Sequence, residues 1–168
     1  MDSFIERNYE KLKNKYALTS PEDLLKEADI DLLPLPLDDN TGGFTMTNNR
    51  CSTIVVNSNW DEHYIGFVIL HEFSHLVLHG GSSTPYYRRI GAGRFIPKIE
   101  NEANALAMKL LLDMQDSDDI KHLTKYQLLY YLGIDDDLLR YIPSLNKMVD
   151  YRMKLATQLV VNKKRHSA

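Results

Sequence analysis

His71-Glu72-Phe73-Ser74-His75 lies inside residues 64–78, a run that is apolar almost throughout apart from these polar side chains. The run has clear ends. Asn59-Trp60-Asp61-Glu62 supplies an Asx cap and acids for a first helical turn, and Gly80-Gly81 closes the helix. A helix apolar on nearly every side is buried on nearly every side, so the rest of the chain must be arranged around it.

On such a helix His71 and His75 are one turn apart and project from the same face. Two imidazoles so placed can hold one divalent cation, with Glu72 beside them to take a proton from a water that the metal activates. Zinc suits imidazole and tolerates an open fourth position for that water, whose pKa it lowers towards ~7. Nitrogen and carboxylate ligands do not by themselves exclude other transition metals. The competing reading makes these core histidines satisfied by hydrogen bonds. Either way they need partners, because an unpaired buried polar group costs about 1–3 kcal/mol.

Two histidines alone make a poor site, and residues 99–112 offer the third ligand. This is a strong helix pattern of small residues followed by leucines. Ala103, Ala105 and Ala107 would let it lie close to the first helix. Glu100 and Glu102 are two apart and point in different directions, so one of them reaches the metal. Glu102 precedes Leu106 by four and Leu110 by eight, close to the presumed apolar face, and is the expected ligand. Glu100 is then a solvent carboxylate or a brace for a ligand. A His71-His75-Glu102 set leaves a position open, which is the catalytic rather than the closed structural arrangement.

His71-Glu72-Phe73-Ser74-His75-Leu76-Val77-Leu78-His79, followed 27 residues after His75 by Glu102-Ala103-Asn104-Ala105-Leu106-Ala107-Met108-Lys109-Leu110-Leu111, resembles the ImmA/IrrE metallopeptidases. The resemblance runs from about residue 22 to 113. One departure is that no proline follows the leucines of the second helix. The resemblance implies a gluzincin-like zinc endopeptidase in which Glu102 is the third ligand. It also implies a protein substrate, a helix-turn-helix repressor of a phage or mobile element.

Around the two metal helices, residues 4–16 predict a charged helix. Ser20-Pro21-Glu22-Asp23 opens another, with cap, proline and acids in their expected places. Residues 30–37, with Pro34 and Pro36, read as an edge or covering strand. Residues 43–47 and 52–57 predict a hairpin around Asn48-Asn49-Arg50. The expected class is α+β: a mainly helical zincin-like domain over residues 1–122, with a small antiparallel sheet packed on the motif helix. Residues 123–168 form a helical C-terminal extension packed on it as one unit.

In zincin-like enzymes a peptide commonly lies along an exposed strand, and residues 52–57, with Ile54 and Val55 at their centre, are the candidate rail. A strand that merely packs on the motif helix is the equal alternative. The connection spanning residues 80–97 is long enough for a lid or binding loop. Tyr86, Tyr87, Arg88 or Arg94 in it could stabilise the oxyanion formed when water attacks a carbonyl, against a default of solvated charges and packing tyrosines. His79 falls in the last turn, about 80° around from His71 at ~100° per residue, and suits a helix cap or a brace for a ligand. His63 reads as surface.

The rest sets bounds. At 168 residues the chain can bury a substantial core, and 43% hydrophobic with 26% charged residues is ordinary for a soluble domain. A net charge of −3 argues against a general nucleic-acid binder. Cys51 alone makes no internal disulfide, reads as a small core residue and suits a reducing compartment. With no signal peptide or membrane span recognisable, the expected location is the cytoplasm. Residues 123–135 show a helix, a glycine turn and a new helix opening on Asp135-Asp136-Asp137, acids that phosphates would repel. This reads as packing or substrate docking. Residues 144–161 predict an amphipathic helix and residues 163–168 a basic tail. Two functions compete: a zinc endopeptidase using Glu72, or a non-proteolytic regulator that binds a repressor or other partner over a structural metal.

Overall fold

The apolar run becomes the central helix of an α+β fold. The computed structural model describes residues 3–48, 51–80 and 97–143 and the backbone of 86–87. In chain order these form helices α1 (Ser3–Lys15) and α2 (Pro21–Glu27), then strands β1 (Ile30–Leu35), β2 (Thr41–Asn48) and β3 (Cys51–Asn57). Helix α3 (Glu62–His79), the two-residue strand β4 (Tyr86–Tyr87) and helix α4 (Lys98–Asp113) follow. The short α5 (Ser117–Ile120), α6 (Lys125–Leu132) and a 3-10 helix (Asp136–Tyr141) complete the described part.

The local signals are realised closely. Asp61 caps α3 by accepting from the His63 amide, and Gly80 ends it in the left-handed conformation at φ 65°. Ser20 caps α2 with Pro21 in its first turn. Residues 67–75 of α3 are buried without a break. Helix α4 lies along α3, with Ala103 and Ala107 buried, so small side chains allow the approach the sequence predicts. Helix α1 docks on α4 through Tyr9, whose hydroxyl donates to Asp113, and through Lys109, which meets Glu6 at 2.6 Å.

The sheet has the order β1-β3-β2-β4. The predicted hairpin is present, with β2 antiparallel to β3 from Gly43↔Val56 to Asn48↔Cys51. The expected all-antiparallel sheet is instead mixed, because β1 pairs parallel with β3 from Ile30↔Ser52 to Leu35↔Asn57. The chain reverses between β1 and β2, and the second strand of the hairpin then inserts between them, so it must run with β1. Pro34 of β1 is tolerated because that strand is an edge. The sheet lies directly on α3. A Cβ at Gly43 would stand 2.6 Å from the Val55 carbonyl oxygen and 2.8 Å from Cγ1 of Val68, closer than any side chain permits.

Asn57 holds this reversal together from a fully buried position. Its amide donates to the carbonyls of Asp38 and Thr41, each at 2.8 Å. Its Oδ1 accepts from the amides of Leu37 and Asn59, each at 3.1 Å. Asn57→Ala should therefore destabilise the fold by about 2–4 kcal/mol, since several backbone groups lose their partner at once. Urea denaturation measures this, and a loss under ~1 kcal/mol would show that the loop is held by other means.

The C-terminal helix–glycine–helix order is also present, although its second element is the short 3-10 helix. Thr124 and Gln127 form a capping box on α6, and Gly133 (φ 66°) ends it. A Cβ on Gly133 would come within 2.6 Å of the His63 Cβ, so this turn abuts the start of α3. Gly133→Ala combines that clash with a left-handed backbone, and a loss of about 1–3 kcal/mol is expected in the same denaturation assay. His63 is exposed, as expected. Cys51 is exposed too, and not the core residue expected, because it sits at the hairpin end of β3 beyond the cover of α3. The helix expected over 144–161 and the tail 163–168 lie outside the described residues. Among the described residues no helix is long and apolar enough to cross a membrane.

Candidate metal centre

Helix α3 presents His71 and His75 with their Nε2 atoms 3.1 Å apart, both fully buried. The third group comes from the first turn of α4. Glu100 places Oε2 3.4 Å from Nε2 of His71 and Oε1 3.3 Å from Nε2 of His75. One ligand atom from each residue lies within 4.8 Å of the other two, a spacing that fits a single divalent ion. Burial alone would raise the Glu100 carboxyl, but hydrogen bonds and charge from His71 and His75 outweigh it and hold the group well below the usual carboxylate range.

The expected ligand, Glu102, is not at this cluster. Its Oε2 pairs with His79 Nε2 at 3.0 Å and its Oε1 with Lys98 at 3.4 Å. The physical reason lies in the helix face. Two residues along α4 is a rotation of about 200°. The leucine row at 106 and 110 suggested the inward face, yet α4 is buried on most sides from Ala103 to Leu111. The row turned to α3 is instead Glu100, Ala103, Asn104 and Ala107. The missed signal was the polar pair Glu100 and Asn104, four apart on the same row as two alanines.

Both histidines are oriented through their second ring nitrogen. His71 Nδ1 donates to Asn104 Oδ1 at 2.9 Å. Asn104 in turn faces the Tyr141 hydroxyl at 3.4 Å, which donates to Asn101 at 2.7 Å. Burial pushes the Tyr141 phenol up, so it stays a neutral donor. The C-terminal 3-10 helix thus reaches the metal cluster through two side chains. His75 Nδ1 meets Nδ1 of His79 at 3.2 Å, which makes His79 a brace, one of the two roles its place in the last turn suits.

Glu72 is fully buried on α3, where the Thr45 hydroxyl of β2 donates to its Oε2 at 2.9 Å. Thr45, Asn104 and Tyr141 are the contributors that sequence reading missed. The expected rail is corrected as well. Ile54 and Val55 are buried in β3, which is paired on both edges by β1 and β2 and so cannot take a further strand. Among the described residues, β4 pairs only with Thr41 and Gly43 of β2, which leaves the outer edge of residues 45–48 beside Glu72. Tyr86 and Tyr87 form β4; their side chains, and Arg88 and Arg94 altogether, lie outside the described residues.

A buried His-His-Glu cluster from two packed helices, with a second buried glutamate next to the first histidine, has the layout of a metallopeptidase centre. The chain belongs to the Peptidase M78 family: residues 25–154 match its IrrE N-terminal-like domain. It is 32% identical over 110 residues to "Uncharacterized immunity region protein 2" of Bacillus phage phi105, covering 66% of this chain and 69% of that protein. No solved structure matches the chain.

Proposed function

We propose that this protein is a zinc-dependent endopeptidase that cleaves a helix-turn-helix repressor of a phage or mobile element in the cytoplasm and so relieves repression. The observation that carries this reading is Glu100 bridging His71 and His75 while Glu72 stands buried on the same helix. Membership of a peptidase family and likeness to a phage immunity-region protein support it. A zinc ion held by His71, His75 and Glu100 would supply a Lewis acid that polarises a peptide carbonyl and acidifies water.

The chain's own residues do the rest. Glu72 takes the proton of the attacking water and returns it to the leaving amine, as a general base and then a general acid. Thr45 fixes the rotation of that carboxylate by holding Oε2. The substrate's main chain lies along residues 45–48 of β2, the strand edge beside Glu72, in place of the buried β3. Tyr86, Tyr87, Arg88 and Arg94 remain the candidates for steadying the oxyanion. The helix–glycine–helix unit that starts at Lys125 serves to dock the substrate.

The experiment is to co-express the protein with the repressor encoded in the same element and follow both reporter output and repressor size. Derepression with the repressor cut at one bond is expected. Derepression with intact repressor would overturn the proposal. Thr45→Val should lower the cleavage rate by roughly 10–100-fold at unchanged zinc content, the equivalent of one hydrogen bond to a charged group, and Thr45→Ser should restore most of it.

A further inference from the structure

Glu102 does not touch the His71-His75-Glu100 cluster, and His79 meets it at Nδ1 of His75, so both are tied to it through one contact. His75 turns Nε2 towards Glu100 and His71, so its ring proton belongs on Nδ1. Among the described residues that proton has one acceptor in line, Nδ1 of His79 at 3.2 Å. His79 must then carry its own proton on Nε2, which points at Glu102 Oε2 at 3.0 Å. All donors and acceptors agree along the row only in this direction. Glu102 is itself held, one turn from Lys98 on α4, by an ion pair at 3.4 Å. His79 and Glu102 are both largely buried, with side chains 10% and 11% exposed.

We propose that His79 and Glu102 are a positioning pair for the metal ligand His75, with Glu102 acting on the metal only through His79. The carboxylate fixes the tautomer of His79; His79 then fixes the tautomer and rotation of His75 and leaves Nε2 bare and aimed at the centre. Outer partners of ligating histidines commonly set metal affinity in this way. His71 has a separate arrangement through Asn104, so the two histidines are steered by different groups. A histidine one turn beyond the motif and a glutamate two residues beyond the ligand thus acquire a joint role.

The proposal rests on the metal reading, and zinc affinity measured by chelator competition separates the two. His79→Ala and Glu102→Ala should each weaken zinc binding about 10–100-fold. The double variant should lose no more than His79→Ala alone, because Glu102 has no other route to the metal. Glu102→Gln, which keeps an oxygen for the His79 Nε2–H, should retain most of the wild-type affinity. Affinities within twofold of wild type in both alanine variants, or losses that simply multiply, would overturn the pairing while leaving the metal site intact. Wild-type protein that binds no zinc would remove both readings. Should His79→Ala fail to fold, the contrast between Glu102→Ala and Glu102→Gln decides alone.

Discussion

Glu100→Ala should leave the protein unable to retain zinc through a desalting step, whereas Glu102→Ala should still reach one zinc per chain when zinc is supplied in excess. The difference follows from geometry. Glu100 contacts both histidine Nε2 atoms, at 3.4 and 3.3 Å, and its loss removes the sole carboxylate of the three-residue cluster. Two imidazoles would remain, and affinity should fall by more than the ~100-fold that loss of an outer partner causes. Glu102 stands one side chain further out, behind His79. Element analysis gives the stoichiometry and chelator competition the affinity. The reverse pattern, with zinc lost from Glu102→Ala and kept in Glu100→Ala, would restore the assignment made from the leucine row. Removing Glu100 also takes away the group that satisfies two fully buried ring nitrogens, so a lower thermal midpoint for the zinc-free variant is part of the expected result.

Which features could be read without coordinates depended on how far apart in the chain their causes lie. The ends of α3 and α2 were legible because a cap, a proline and a glycine act within one turn. The hairpin was legible because alternation and a short polar turn decide it locally. The direction of β1 was not, since it depends on β3 inserting between two strands already laid down. The same insertion buried Ile54 and Val55, which local pattern alone allowed to be an exposed rail. His71, Glu72 and His75 sit on one helix, and their spacing fixes their relation. The third member of the cluster sits on another helix, where the choice between Glu100 and Glu102 turns on how α4 is rotated against α3. A helix buried on most sides gives no single apolar face from which to read that rotation. Thr45 and Tyr141 reach the site from a strand and a 3-10 helix far away in sequence, and a threonine or tyrosine carries no signature of its partner.

Glu72→Gln should abolish cleavage while sparing both the metal and the fold. Loss of a positioned general base lowers rates by roughly 10²–10⁴-fold, and here the same residue is assigned the later proton delivery as well. The amide keeps the shape of the carboxylate and an oxygen to accept from Thr45, so its orientation should persist. Zinc content should not change, because the cluster is made by His71, His75 and Glu100. Stability should hold or rise, since the substitution removes a charge from a fully buried position. A structural role for Glu72 predicts the opposite on each count: lower stability, with regulation otherwise intact. The variant therefore separates chemistry from binding. In cells it should hold the repressor without cutting it and fail to relieve repression. Derepression equal to wild type, at any zinc content, would show that the protein acts by binding alone. A thermal midpoint at or above wild type, full zinc and intact repressor together are the outcome that a catalytic Glu72 requires.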